Sequence, residues 1–165
     1  MNASDYIARL QLQSHPEGGF FKETYRSAER VSSESLPARF RGERNFSTAI
    51  YYLLRKGEHS LFHRIKSDEC WHFYAGETLL IHVIEPGGEY NCIKLGSNIL
   101  LGETFQYVVP AKAWFAAEPS TETDFSLCGC TVAPGFDFAD FELADKEELL
   151  RAFPQHKEII SRLSK

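Results

Sequence analysis

From residue 46 onward, the chain consists of short apolar segments separated by turn signals at regular intervals. Such segments are typical of strands, and we predict them at residues 46–54, 60–65, 70–75, 79–84, 90–95, 104–109, 114–117 and 125–132. The turn formed by Glu85, Pro86, Gly87 and Gly88 is a strong hairpin signal. Evenly spaced short strands of this kind indicate a β-sandwich or a β-barrel.

Helices are predicted only near the two ends of the chain. Ser4 and Asp5 can cap a short N-terminal helix. Asp145 is placed to cap a C-terminal helix that Pro154 ends, and a second short helix is predicted at residues 155–163. The sequence therefore predicts a mostly β protein with short helices at both ends.

An alternating strand is also predicted at residues 20–26, ahead of a polar stretch at residues 27–45. That stretch is rich in Arg, Ser and Glu, so we interpret it as a long surface loop, and such loops are often functional lids. Neither a linker nor an internal repeat is evident. We therefore predict one domain over residues 1–165.

Composition excludes several classes of partner. The net charge of −5 argues against a surface for a nucleic-acid polymer or an anionic membrane. Because no apolar run approaches eighteen residues and the start lacks a basic, apolar leader, we expect neither a membrane span nor a signal peptide.

The four cysteines, Cys70, Cys92, Cys128 and Cys130, form no Cys-x-x-Cys pair, and we predict a cytoplasmic protein with reduced thiols.

The segment between Gly57 and Gly76 contains the residues best suited to chemistry. His63 precedes Glu69 by six positions, and an aromatic run begins at Trp71. If the histidine and the glutamate lie on a strand pair inside an aromatic pocket, they can either bind a metal or move a proton. These two possibilities define the candidate functions.

This segment resembles the first motif of the cupin superfamily, and a later segment echoes the second. The matching positions are Gly57, His63, Glu69 and Gly76 in the first motif and Gly102, Pro110, Lys112 and Phe115 in the second. Nearly the whole chain resembles the DUF985 (cupin-5) family, sometimes labelled predicted sugar epimerases. The segments that carry this resemblance are residues 15–21, 62–72, 110–114 and 131–138. The resemblance implies a cupin jelly-roll β-barrel and a homodimer.

Metal-dependent cupins usually bind their metal with three histidines and one glutamate. At the matching positions this chain has Ile65 or Leu61, depending on the alignment of His63, and Phe115. Because two protein ligands hold a divalent metal weakly, we predict no metal and no other cofactor. A metal-dependent cupin enzyme is kept as the third candidate function.

Without a metal, the pair suits proton transfer. We predict that His63 abstracts a proton next to a carbonyl group and that Glu69 orients the imidazole. Cupin-fold nucleotide-sugar epimerases carry an Arg-Gly-x-Phe-x-Glu stretch, which Gly19, Phe21 and Glu23 match, although Gly18 replaces the arginine. This resemblance implies an isomerase or epimerase acting on a carbonyl-bearing sugar or sugar nucleotide.

A second candidate function is a small-ligand-binding cupin that uses the same pocket without catalysis. In either case, the predicted ligand-binding residues are Phe21, Glu23, Tyr25, Tyr52, Trp71, Phe73 and Trp114. His72 alternates with Glu69 and should point out of the barrel. The other four histidines, His15, His59, His82 and His156, are interpreted as surface or turn residues.

Overall fold

The computed structural model describes residues 1–120 and 124–165. It contains thirteen strands in its described parts: β1 (Gln13–Ser14), β2 (Phe20–Arg26), β3 (Arg30–Val31), β4 (Arg44–Asn45), β5 (Thr48–Arg55), β6 (Ser60–Arg64), β7 (Asp68–Gly76), β8 (Leu79–Ile84), β9 (Tyr90–Leu95), β10 (Gln106–Val109), β11 (Trp114–Pro119), β12 (Phe125–Ala133) and β13 (Glu142–Leu143). The α-helices are α1 (Ala3–Leu10), α2 (Lys146–Ala152) and α3 (Lys157–Leu163). The mostly β fold with short terminal helices is confirmed.

Two sheets form the barrel. The larger has the strand order β1-β2-β5-β12-β7-β10, and the smaller has the order β13-β6-β11-β8-β9. Their inner faces share one apolar core, to which Tyr52 and Trp71 contribute from the larger sheet and Ile81 and Phe115 from the smaller. Two antiparallel sheets that enclose a common core are the arrangement of a jelly roll.

Strand register determines which side chains face the barrel interior. On β7, Glu69 lies opposite Val132 and Val109, and both Glu69 and Trp71 are buried. His72 alternates with them and contacts Thr131 and Gln106 on the outer face. The outward orientation of His72 therefore agrees with the period-two pattern of a strand.

Helices cover the outer face of the smaller sheet. Leu149 of α2 and Ile160 of α3 join a second buried cluster with Phe62, Ile84 and Ala116. Helix α1 packs instead against the outside of the larger sheet. Within the described residues, no helix has the length and apolarity needed to cross a membrane.

Two details of the ends and loops differ from prediction. The N-cap of α1 is Asn2, whose side chain accepts from the backbone N–H of Asp5, while the Asp5 carboxylate accepts from that of Asn2. Residues 27–45 are also not a plain surface loop, because they contain the β3–β4 hairpin. The buried Arg44 guanidinium holds this region to the Asp140 carboxylate with donor–acceptor distances of 2.6 and 2.7 Å. A charge buried in this way requires such a partner.

The predicted cap of α2 is present, since the Asp145 carboxylate accepts from the backbone N–H of Glu148 at 2.9 Å. We expect Asp145→Ala to lower the free energy of unfolding by about 1 kcal/mol, because one N–H at the helix start loses its acceptor. Chemical denaturation monitored by circular dichroism measures this change. Asp145→Asn should retain most of the stability, and an equal loss in both variants would contradict the capping role.

Candidate functional site

A cavity of about 80 Å³ lies between the two sheets at one end of the barrel. The titratable side chains that line it are His15, Glu17, Glu23, Arg26, His63, Glu69 and Cys130. The apolar part of its wall is formed by Phe21, Ile50, Ile65, Val132, Phe136, Phe138 and Phe141. Titratable groups inside a mostly apolar cavity are the usual composition of a small-molecule site.

Glu17 lies at the centre of the polar contacts. Its Oε2 is 3.1 Å from Nε2 of His63 and 3.7 Å from Nδ1 of His15. Its other oxygen, Oε1, accepts a hydrogen bond from Oγ of Ser60 at 2.9 Å. The carboxyl group of Glu17 thus contacts two histidines and a serine in a buried position.

A tight turn between β1 and β2 places Glu17 in the cavity. Gly18 and Gly19 have φ angles of +115° and +71°, which favour glycine. A Cβ on Gly18 would lie 2.2 Å from the carbonyl oxygen of His59. The hydroxyl of Tyr52 donates to the Gly18 carbonyl at 2.7 Å and fixes the turn from below. The close approach of this turn to the barrel therefore depends on glycine.

The hydrogen bonds of His63 determine which ring nitrogen carries its hydrogen. Nδ1 lies 2.7 Å from the carbonyl oxygen of Leu61, which can only accept, so Nδ1 carries a hydrogen. Burial lowers the pKa of His63 to about 4 and raises the pKa of Glu17. We infer a neutral pair in which the protonated carboxyl of Glu17 donates to Nε2 of His63. One mobile proton thus lies between these two groups.

Glu69 faces this pair from the other sheet. Burial is the main cause that raises the pKa of Glu69 to about 8, and ionisation of Glu17 would oppose the loss of the Glu69 proton further. The Glu69 carboxyl is therefore mostly protonated at neutral pH and can donate a hydrogen bond or a proton. Two carboxyl groups with different surroundings in one cavity provide both an acid and a base.

The predicted pairing of His63 with Glu69 on adjacent strands is wrong. His63 lies on β6 of the smaller sheet and Glu69 on β7 of the larger sheet, so the two strands face each other across the cavity instead of pairing. The carboxyl group that contacts His63 is that of Glu17. Consecutive strands of a jelly roll often alternate between sheets, which explains the error.

The predicted ligand-binding residues divide into two groups. Phe21 and Glu23 line the cavity with His63 and Glu69. The other five lie outside its lining. Tyr52 lies under the turn at Gly18, and Trp71 lies in the core at 1% exposure. Phe73 lies farther along β7, Tyr25 is 54% exposed on β2, and Trp114 lies beneath the Arg64 guanidinium on the outer face. The aromatic residues are thus mostly core or outer-face residues.

Sequence reasoning missed His15 and Glu17. The sequence predicts His15 as a surface or turn residue and assigns no role to Glu17, yet both side chains line the cavity. The signal that could have identified them is the pair of glycines, since a positive-φ turn allows close approach of the backbone to a site. The prediction of His82 as a surface or turn residue is also wrong, because its side chain is buried and forms a hydrogen bond with Glu118.

The donor set does not fit the metal of a metal-dependent cupin. Ile65 lines the cavity and the Phe115 ring lies 4.1 Å from the ring of His63, at positions where other cupins have ligands. Both ring nitrogens of His63 already have protein partners. Among residues 1–120 and 124–165, no three His, Cys, Asp or Glu side chains are grouped so as to hold a metal ion.

Comparison with known proteins gives one family and several relatives without assigned activity. The sequence model described as "Cupin superfamily (DUF985)" matches residues 4–144. The uncharacterized protein YML079W of Saccharomyces cerevisiae is 32% identical over 158 residues, which cover 86% of this chain and 74% of the yeast protein.

Solved structures agree with this assignment. A hypothetical protein from Leishmania major has a TM-score of 0.88 and 34% identity, with 99% of each chain covered. Protein SO0799 from Shewanella oneidensis has a TM-score of 0.88 and 42% identity, covering 100% of this chain and 98% of its own. Oxalate decarboxylase from Bacillus subtilis, at 16% identity and a TM-score of 0.55, is similar over 91% of this chain and 36% of its own, and shares the fold alone.

Proposed function

The chain belongs to the DUF985 family of the cupin superfamily, and we propose that it is a metal-independent isomerase or epimerase acting on a small carbonyl-bearing sugar. The observation that carries the proposal is the contact between Glu17 and His63, which faces the buried Glu69 across one cavity. Such an arrangement provides a base and an acid without a metal.

The base is the Glu17–His63 pair acting together. When the Glu17 proton moves to Nε2 of His63, the Glu17 carboxylate is free to take a proton from the carbon next to the substrate carbonyl. His63 then holds the proton as an imidazolium that remains bonded to the Leu61 carbonyl. This division of labour differs from direct abstraction by His63, because both of its ring nitrogens are occupied.

The acid is Glu69. Its proton goes either to the carbonyl oxygen, which gives an enol, or to the reacting carbon from the side opposite Glu17. When the proton is delivered to the opposite side of the reacting carbon, the configuration of that carbon is inverted, which is epimerisation. When a proton is instead added to the former carbonyl carbon beside it, the reaction is isomerisation. In both cases Glu69 must start protonated, and its raised pKa supplies that condition near neutral pH.

Cavity size and charge favour a sugar over a sugar nucleotide. A cavity of about 80 Å³ is smaller than the roughly 300 Å³ at the low end of typical small-molecule pockets, so only the reacting end of a substrate fits inside. Arg26 lies at the cavity but is bound to Glu23, Asn45 and the Phe136 carbonyl. It is therefore not free to bind a diphosphate.

The proposal is tested by solvent deuterium exchange. The protein is incubated in D₂O with a panel of ketoses, aldoses and keto-sugars, and exchange at carbons beside the carbonyl is followed by NMR. We expect exchange with at least one sugar class, at a rate well above that of His63→Gln. If no sugar exchanges faster than with this variant, the catalytic proposal is wrong.

The alternative function is binding without turnover. The aromatic wall of Phe136, Phe138 and Phe141 favours it, because an apolar wall binds ligands without contributing to proton transfer. Calorimetric binding of a sugar that undergoes no exchange would support this alternative over catalysis. The same panel therefore distinguishes the two functions.

We also propose that the protein is a homodimer, as the family resemblance implies, and that it is cytoplasmic, which its four free cysteines favour. Ile99, Leu100 and Leu101 support association, because they are 66%, 92% and 66% exposed and adjacent in sequence. Sedimentation equilibrium should give twice the chain mass of 18.8 kDa. A monomer mass at micromolar concentration would contradict this proposal.

A further inference from the structure

A second cluster of reactive side chains lies on the outer face of the smaller sheet, away from the cavity. Cys92 on β9 pairs directly across the sheet with His82 on β8. Side chains of directly paired residues lie about 5 Å apart on the same face. The thiol of Cys92 is exposed, whereas His82 is buried under the edge of α3.

His82 is held in place by two further groups. Its Nδ1 lies 2.8 Å from the hydroxyl of Tyr90, and its Nε2 lies 3.1 Å from Oε1 of Glu118. Glu118 is in turn bound by the Arg162 guanidinium from α3. A nucleophile beside a histidine that a carboxylate orients is the arrangement of activated thiols.

The electrostatics of the cluster agree with its geometry. Burial alone would lower the pKa of His82, but its hydrogen bonds to Cys92 and Glu118 raise it. Hydrogen bonding to His82 lowers the pKa of Cys92 against the opposing effect of burial. Burial also opposes ionisation of Glu118, yet hydrogen bonds from His82 and Arg162 lower its pKa to about 2. Tyr90, with its pKa raised to about 12, stays neutral.

A cleft of about 590 Å³ adjoins the cluster at Tyr90. Its lining includes three side chains that are or can become cationic, His156, Lys157 and Arg162, and one carboxylate, Glu158. The Tyr90 ring lies 5.4 Å from the ring of His156, so the cleft begins at a residue of the cluster itself. Arg162 is already bound to Glu118, whereas Lys157 forms no ion pair among the described residues, so its ammonium group can bind a carboxylate of a ligand.

We propose that Cys92 is an activated thiol that forms a mixed disulfide with a small, carboxylate-bearing disulfide, of which glutathione disulfide is the probe. The carboxylates bind in the cleft while the thiolate attacks. This site is independent of the proposed isomerase function, since it lies on the opposite face of the smaller sheet.

The reaction is a thiol–disulfide exchange. Cys92 transfers its proton to Nδ1 of His82 as the Tyr90 hydroxyl turns away, while the Nε2–H of His82 stays bonded to Glu118. The thiolate sulfur then attacks one sulfur of the reagent. A new bond joins Cys92 Sγ to that sulfur as the S–S bond of the reagent breaks. The second half leaves as a thiolate and takes the proton from His82. Cys92 is oxidised and the departing half is reduced, so no other oxidant is needed.

Alkylation by iodoacetamide at a series of pH values tests the activation. Peptide mass spectrometry measures Cys92 and the partly buried Cys70 in the same folded sample, so that Cys70 serves as an internal control. We expect the midpoint for Cys92 to lie below the ordinary thiol value of about 8.5, and that for Cys70 to lie above it because burial raises its pKa. An ordinary or higher midpoint for Cys92 would overturn the proposal.

Variants of the neighbours test the role of His82. His82→Gln should raise the Cys92 midpoint and slow its alkylation at pH 7 by about fivefold, with Cys70 unchanged. If His82→Gln does not fold, Glu118→Gln decides, since loss of the carboxylate that stabilises the imidazolium should shift the midpoint in the same direction. An unchanged midpoint in the folded variant would contradict activation by His82.

Reaction with disulfides tests the cleft. Glutathione disulfide should modify Cys92 and not Cys70, and dithiothreitol should reverse the modification. The cationic disulfide cystamine should react at least about threefold more slowly at low salt, because it has no carboxylate for Lys157 to bind. No mixed disulfide at Cys92 would overturn the proposal, and equal rates for the two reagents would overturn the role of the cleft.

Discussion

Replacing Glu69 with glutamine is expected to stabilise the protein at alkaline pH. Relative to the wild type, the free energy of unfolding of Glu69→Gln should rise by about 4 kcal/mol between pH 4.5 and pH 8.5, since each pKa unit corresponds to about 1.4 kcal/mol. The physical reason is that burial, as the main cause, raises the pKa of Glu69 from 4.5 to about 8. Glutamine mimics the protonated carboxyl and cannot ionise.

The sign follows from proton binding in the two states. Between pH 4.5 and pH 8 the folded protein keeps a proton on Glu69 that the unfolded chain has lost, so the stability of the wild type falls as the pH rises through this window. His63 acts in the opposite direction, because its pKa is lowered from 6.5 to about 4 and stability rises with pH between those values. The fall caused by Glu69 should therefore be clearest between pH 6.5 and pH 8.

Urea denaturation at a series of pH values, followed by circular dichroism, measures this difference. Glu77→Gln is a matched control, because Glu77 is an exposed glutamate in the turn after β7, so its replacement makes the same change of carboxyl to amide without burial. A difference for Glu69→Gln that stays constant from pH 4.5 to 8.5 would contradict a buried, protonated Glu69.

The fold could be predicted largely because strands follow local rules. The boundaries of Leu79–Ile84 and Tyr90–Leu95 match the predicted ranges, since apolar alternation and the intervening Pro-Gly-Gly turn are both local signals. The ends of other strands differ from the predicted ends. For example, the strand Thr48–Arg55 begins two residues later than predicted. Pairing with neighbouring strands decides such ends, and a single sequence does not contain that information.

The site was harder to predict because it is assembled from distant segments. His63 and Glu69 were recognised from one motif, but their separation onto opposing sheets depends on the topology of the whole barrel. Glu17 lies in a turn whose local sequence, with Pro16, Gly18 and Gly19, indicates only a turn. Glu17 reaches the cavity because the Gly18–Gly19 turn packs against β5 and β6, which is a contact between residues far apart in the chain.

This assembly changes the chemistry expected of the family motif. A glutamate and a histidine on paired strands would form one ionic pair, whereas here two carboxyl groups share the cavity with one neutral imidazole between Glu17 and Leu61. Because burial raises the pKa of both Glu17 and Glu69, the cavity keeps protons that solvent would otherwise remove. Retained protons are what a metal-independent isomerase needs.

Replacing Glu17 with glutamine should abolish most of the proposed proton exchange while preserving the fold. The glutamine amide can donate to Nε2 of His63 and accept from Ser60, as the protonated carboxyl does, so the variant should unfold at nearly the wild-type temperature. Its side chain cannot take up the substrate proton. We therefore expect the rate of solvent deuterium exchange into a reactive sugar to fall by about 10²- to 10³-fold.

The same NMR assay used for the sugar panel measures this loss, with Glu77→Gln as the control that changes a carboxylate to an amide at an exposed site. The comparison separates two mechanisms. If Glu17→Gln keeps the wild-type exchange rate, Glu17 only positions His63 and the imidazole abstracts the proton itself. If the rate falls while ligand affinity is retained, the Glu17 carboxylate is the group that accepts the substrate proton, and His63 stores the proton that Glu17 releases.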